Sequence, residues 1–257
     1  MDTFTSYNVL TRTMTATLAR TAKDPSVQRE TAYYKSKIDS IKTIDDFVKD
    51  PRILTYALKA WGLEDMSYAK GLIKRVLEGG IDSSKSLANT LSSGRFKEFA
   101  SVFNFKSYGP ATTAFDKVQK TTVDNYIQQK VEADQGSTNP ALKLALYFQR
   151  KAPTIKSAVY ILADTNLLKV VQTTLDIPAS TSNSSIDAQI SLINQKMNVK
   201  DLQDPAKLNK FLQRFAVAYD AENGTPGISA ASVMLAGGGS GTIGLNSDLL
   251  MSIQRLR

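Results

Sequence analysis

The chain has 257 residues, 42% of them apolar, enough to bury the core of one large domain or two of ordinary size. It contains no cysteine and no histidine, which excludes disulfides, thiol nucleophiles, thiolate-zinc and iron–sulfur sites, imidazole ligands and the commonest general base. The net charge of +8 points to an acidic partner, a nucleic acid or an anionic membrane face, although the basic residues are scattered and form no block. Lys35, Lys37, Lys70, Lys74, Arg75, Arg150, Lys151, Lys156, Lys207, Lys210 and Arg214 read as solvated helix faces.

Residues 1–24 carry Phe4, Tyr7, Leu10, Met14 and Leu18 at spacings of three and four, an amphipathic helix of modest propensity because threonines fill the gaps. The same segment lacks the charged start, apolar block and small-residue cleavage site of a secretory signal, so a cytoplasmic protein is expected. No apolar run approaches the roughly 20 residues that span a bilayer.

Residues 25–109 read as a first helical subdomain. Asp24-Pro25 starts a helix that runs through Val27, Tyr33, Tyr34 and Ile38 to Ile41. Thr43 and Asp46 fit a capping box, and Asp50-Pro51 supplies a second N-cap with proline at the first helical position. Ile53, Leu54, Ala57, Leu58 and Trp61 then share one face, and Gly62 ends the run. Asp65 is expected to cap the next helix, with Ala69, Leu72, Ile73, Val76 and Leu77 as its stripe and Gly79-Gly80 as its stop. A short helix from Ser84 comes next, then the aromatic stripe Phe96, Phe99, Ala100 and Phe103. Leu54, Leu58, Trp61, Phe96, Phe99 and Phe103 are the expected core.

Residues 110–221 read as a second helical subdomain. A long helix is expected from Ala111 to Asp134, with Phe115 and Val118 on its stripe, then a loop from Gly136 to Asn139. Asn139-Pro140 and Asp204-Pro205 are further helix starts, and a helix is expected from about Ile186 to Met197. This half repeats the first at a constant offset of 114: Tyr34, Ile41, Phe47, Asp50, Leu54, Trp61 and Leu63 match Phe148, Ile155, Ile161, Asp164, Leu168, Leu175 and Ile177. Arg95, Phe96, Phe99 and Phe103 match Lys207, Leu208, Phe211 and Phe215 at 112. An all-α protein of two similar subdomains is the simplest reading. Residues 222–257 form a Gly-rich arm that ends in a short helix with Leu249, Leu250, Ile253 and Leu256 as its stripe.

Candidate chemistry is sparse. Gly239 to Gly244 spells a dinucleotide fingerprint, but too few residues come after it to complete a βαβ unit, and a hinge is the better reading. Asp45-Asp46 and Glu64-Asp65 sit at helix starts, where acids suit the dipole, and read as capping groups rather than an acid/base pair. Trp61 with Tyr56 and Tyr68 could line a ligand site, but Trp61 lies on the apolar stripe. Tyr33-Tyr34 beside Lys35 and Lys37 has an aromatic-basic flavour without a recognised nucleic-acid module behind it.

The succession TIDDFVKDPRILTYALKAWGLEDMSYAKGLIKRVLEGG, then FKEFASVFNF, then LNKFLQRFAVAY resembles the family named only as domain of unknown function 1217. The resemblance extends over nearly the whole chain and is most specific from Asp50 to Gly62. It implies no activity, no cofactor and no catalytic residues. It implies an association with motility, because members are often encoded among flagellar genes, and so a flagellum-associated location as an alternative to the cytoplasm. The reading is a non-enzymatic binding or structural protein with protein partners, flagellar components among them, and scope for a homo-oligomer. Nucleic acid is the lesser expectation: the alternative is a basic cytoplasmic regulator that binds nucleic acid or an acidic protein surface. Phe4, Tyr7, Leu10, Met14, Leu18, Leu249, Leu250 and Ile253 are the candidate partner-binding residues, with docking on the protein's own body as the competing role.

Overall fold

The computed structural model describes residues 2–91 and 93–223, and among them it is all-α, with no strand. Short polar side chains start most of the helices, each satisfying amides that a helix N-terminus leaves unpaired. Asp2 accepts from the Thr5 amide at the head of α1 (Thr3–Ala22), and Asp24 accepts from Ser26 and Val27 to start α2 (Pro25–Lys37). A 3-10 turn at Ile38–Ser40 leads to the reciprocal Thr43–Asp46 capping box of α3 (Ile44–Lys49). Asp50 then caps α4 (Pro51–Ala60). The exit is through Gly62 at φ +73°, a left-handed conformation that lets the Leu63 amide reach back 2.8 Å to the Leu58 carbonyl.

Asp65 does not cap the next helix. It lies in a 3-10 turn, Glu64–Met66, and α5 (Lys70–Gly79) begins four residues later without a side-chain cap. Next come α6 (Leu87–Thr90), α7 (Gly94–Val102) and α8 (Phe105–Tyr108). The long helix expected from Ala111 is interrupted. Gly109–Ala114 is 3-10, Phe115 is extended, and one π turn at Lys117–Thr121 precedes α9 (Thr122–Thr138). Two threonines account for the break: the Thr112 hydroxyl donates back to the Gly109 carbonyl (2.8 Å), and Thr113 donates across to the Ile41 carbonyl (3.1 Å). Phe115 consequently leaves the stripe and is 43% exposed.

The loop expected at Gly136 is helix instead. A Cβ at Gly136 would stand 2.8 Å from Cδ of Lys143, so this glycine permits the close crossing of α9 with α10 (Pro140–Lys151) and breaks nothing. Asn139 alone makes the turn and caps α10 through Ala141 and Leu142. A 3-10 turn at Ala152–Thr154 and α11 (Ala158–Leu162) come next, then α12 (Thr165–Leu175) capped by Asp164 and α13 (Ile186–Lys196) capped by Ser185. Asp204 caps α14 (Pro205–Glu222).

Two large apolar clusters result. The first, from α2 to α9, contains Leu54, Leu58, Trp61, Phe96, Phe99 and Phe103, all buried. Phe47 is its aromatic hub, with ring centroids 4.8 Å from Phe103 and 5.9 Å from Phe105. The second is built from α10 to α14 around Phe148, Ile161, Val170, Val171 and Phe215, and it takes in Tyr7. Helix α9 packs on both α4 and α10, and α1 packs on α9, α10 and α14, so these two helices tie the clusters together. Several local contacts recur at the offset of 114. Tyr33 donates to Asp50 (2.8 Å) as Tyr147 donates to Asp164 (2.5 Å), and the Leu63–Leu58 backbone bond returns as Ile177–Gln172 (2.9 Å).

Candidate functional site

A cluster of buried charged side chains lies where α9 meets α10. Arg150 makes a two-pronged ion pair with Glu132, from Nε at 2.6 Å and Nη2 at 3.0 Å. Both side chains are nearly sealed, at 9% and 1% exposure. Burial works against the Arg150 charge, but the hydrogen bond and field of Glu132 prevail and hold its pKa above the ordinary value. With its amide turned to suit the pair, Gln129 donates to Glu132 Oε2 (3.2 Å) and accepts from Arg150 Nη2 (2.5 Å). The Arg150 guanidinium also faces the Tyr147 ring at 5.1 Å. Next along α10, the buried Lys151 pairs with Glu98 of α7. The scattered charge pattern assigns Arg150 and Lys151 to solvated faces. They are instead inside, Arg150 held against Glu132 of α9 and Lys151 against Glu98 of α7. No spacing rule joins Glu132 to Arg150 across a helix turn, and only the Asn139-Pro140 junction hints that the two helices are neighbours.

A second buried group fixes the N-terminus. Asp220, near the end of α14, accepts from the Thr3 amide (2.7 Å) and the Thr3 hydroxyl (2.5 Å), and Asn139 donates to the same hydroxyl (2.9 Å). With this clamp in place the N-terminal stripe packs on the protein itself. Tyr7 and Leu10 are buried, Met14 and Leu18 are half-buried against Leu10, Val131 and Leu146, and Phe4 is half-buried. In this conformation Tyr7 and Leu10 have no surface to offer a partner. The other candidate partner residues, Leu249, Leu250 and Ile253, lie outside the described residues, as does the arm that carries them.

The remaining candidates serve as scaffold. Asp46 completes its capping box, and Asp45 pairs with Lys74 at 2.6 Å, which holds its carboxyl below the usual range. Trp61 donates from Nε1 to Thr122 Oγ1 (3.2 Å) inside the core. Tyr56 is stacked between Tyr34 and Tyr126, at 4.5 and 3.9 Å, while Tyr68 is 82% exposed, so these residues do not line a common site with Trp61. Tyr34 is buried, with its hydroxyl on the Val118 carbonyl (2.8 Å), and Tyr33 carries the Arg52 guanidinium 3.7 Å above its ring. An open cleft of about 580 Å³ beside Tyr33 is lined by Ser40, Ile41, Asp46, Lys49, Asp50 and Arg52. Its two carboxylates are occupied, Asp46 by the Lys42 and Thr43 amides and Asp50 by the Arg52 and Ile53 amides and the Tyr33 hydroxyl. Among the described residues no group of three or more acidic side chains could hold a metal ion, and no helix is long and apolar enough to cross a membrane.

The surface also presents apolar side chains. Tyr108 and Phe115, 53% and 43% exposed, meet edge to face at 4.9 Å across the Gly109–Ala114 turn. Their base is firm: Phe105 is buried against Phe47, Lys106 Nζ donates to the Gly79 carbonyl (3.0 Å), and the Ser107 hydroxyl bonds Asp82 (3.2 Å). Periodicity alone sets Phe115 on a core stripe and gives no reason to single out Tyr108.

A crystal structure of a protein from Agrobacterium tumefaciens, determined by a structural genomics consortium, is similar to this chain with 43% sequence identity and a TM-score of 0.81. The similarity covers 86% of this chain and 94% of that one. No functionally curated protein matches the chain. The model of the family described as "Protein of unknown function (DUF1217)" matches residues 60–208, which leaves most of the Asp50–Gly62 motif ahead of the matched segment. With that match and that relative, the chain belongs to the DUF1217 family.

Proposed function

We propose that this protein is a non-enzymatic binding protein that serves flagellar assembly or function by docking a protein partner. The observation that carries the binding role is the Tyr108–Phe115 pair. It is an aromatic surface contact on a rigid base, and aromatic side chains on preorganised backbone make the strongest anchors of protein interfaces. The polar residues support the non-enzymatic part, since Glu132, Arg150, Asp50, Asp164 and Asp220 are spent on one another, on caps, on tyrosine hydroxyls and on Thr3. The flagellar part rests on the family's gene neighbourhood alone. The rival reading, a basic cytoplasmic regulator that binds nucleic acid or an acidic protein surface, is weakened by the burial of Arg150 and Lys151.

The test is deletion of the gene, with swimming scored in soft agar and cells viewed by electron microscopy, followed by complementation. Missing or malformed flagella are expected, restored by the wild-type gene and not by Tyr108→Ser with Phe115→Ser. Normal swimming with no paralogue to cover the loss overturns the flagellar role. Full rescue by the double variant overturns the docking surface.

A further inference from the structure

Helices α1 and α14 lie side by side and run in opposite directions. Thr3 of α1 is bonded to Asp220 near the end of α14, and Asn8 accepts from Gln213 (2.7 Å), 205 residues away in the chain. Arg12, one turn on from Asn8, therefore comes beside Lys210, one turn back from Gln213. On α14 Lys207, Lys210 and Arg214 follow at spacings of three and four and share one face, along roughly 10 Å of helix. That face is the outer one, since Leu212, Phe215 and Ala216 are buried on the opposite side. Arg12, Lys207 and Lys210 are exposed, and Arg214 is half-buried.

The two helices bring no opposing charge to this seam. Residues 3–23 and 205–219 contain no Asp or Glu. The carboxylates at the head of α14 are engaged: Asp201 pairs with Lys207 (2.7 Å), and Asp204 caps the helix. Among the described residues no carboxylate pairs with Arg12, Lys210 or Arg214. Arg150 and Lys151 give up their surface charge to Glu132 and Glu98, but the α1–α14 seam keeps its own.

We propose that the α1–α14 seam docks an acidic segment of a protein partner, with its carboxylates set against Arg12, Lys210 and Arg214. Cations fixed on two packed helices attract such a segment from a distance and hold it in one register. The shape and chemistry of the face favour a protein over other polyanions. No aromatic side chain of α1 or α14 is exposed, so none can stack on bases or enter a bilayer. Two helices side by side are roughly 20 Å across, too broad for a major groove of about 12 Å. This inference rests neither on the flagellar reading nor on the Tyr108–Phe115 contact, because it uses different elements.

Short fluorescein-labelled poly-L-glutamate serves as the probe, and its anisotropy is titrated with the full chain at low salt. Arg12→Glu with Lys210→Glu and Arg214→Glu should weaken binding at least about 10-fold. The control, Lys35→Glu with Lys70→Glu and Arg75→Glu, reverses three exposed cations of the first half and carries the same net charge. It should bind nearly as the wild type does. Equal losses in the two variants overturn the proposal, since net charge alone then explains the attraction, and so does a wild type that fails to bind. A labelled DNA duplex and phosphatidylserine vesicles are titrated alongside. Tighter binding of either, abolished by the same three substitutions, overturns the assignment to a protein and gives the face to that polyanion. Arg12→Gln with Lys210→Gln and Arg214→Gln guards against a folding defect in the reversed variant. It should weaken binding several-fold with an unchanged circular dichroism spectrum, and unchanged binding overturns the docking.

Discussion

Glu132 and Arg150 are the residues on which the junction between α9 and α10 depends. A buried ion pair stabilises little over an apolar substitute, but removing one partner strands the other charge in a low-dielectric site. Glu132→Ala should therefore cost about 3–5 kcal/mol, while Glu132→Leu with Arg150→Met should be much milder. Urea denaturation of the three proteins checks this, and a double variant as unstable as the single one would show that the pair is worth more than its burial costs. Asp50 behaves differently because it reaches solvent. Burial pulls its carboxyl upward, but the amides of Ile53 and Arg52 and the Tyr33 hydroxyl outweigh that and hold its pKa below the usual range. A carboxyl depressed on folding adds stability that is complete above its unfolded pKa and is lost as pH falls through the folded value. The penalty of Asp50→Ala, about 1–2 kcal/mol for a lost cap at neutral pH, should shrink steadily below about pH 4. Chemical melts across that range test it.

At the scale of elements, most caps and stops were readable because they are local chemistry, Asp65 being an exception that turns to Arg95 instead. An Asp or Asn before Pro states a helix start in two residues, and all four such junctions became one, at Asp24, Asp50, Asn139 and Asp204. Gly62 was readable for the same reason. Its φ of +73° predicts that Gly62→Ala destabilises by about 1 kcal/mol or more, measurable as a lowered Tm, although a Cβ there would meet Gln129 at an acceptable 3.4 Å. The failures are where a distant partner decided the local conformation. Thr113 is held in a 3-10 turn instead of an α-helix, with its hydroxyl on the Ile41 carbonyl 72 residues away, and Gly136 stays helical because α10 crosses over it. Composition shows neither partner. The candidate sites divide likewise: the N-terminal stripe was visible as a periodicity, but that it closes on Val131 and Leu146 depends on a clamp from Asp220, 217 residues from Thr3.

The described residues hold two large apolar clusters, joined by helices that pack on both. Helix α9 packs on α4 of the first cluster and on α10 of the second, and α1 crosses α9, α10 and α14. Such sharing couples the halves, because neither cluster can lose its packing while α9 and α1 keep theirs. The single tryptophan, Trp61, lies in the first cluster with its indole on Thr122 at the start of α9, so its fluorescence reports that half alone. Far-UV circular dichroism reports helices of both. The two signals should therefore trace one transition in urea with the same midpoint and slope. Cutting the coupling should separate them: in Glu132→Ala the second cluster should melt first, with dichroism falling while Trp61 is still native. Coincident curves in that variant would mean that α1 and the Asp220 clamp suffice to hold the halves together. Asp220→Ala, which frees Thr3, should then be the change that splits the transition.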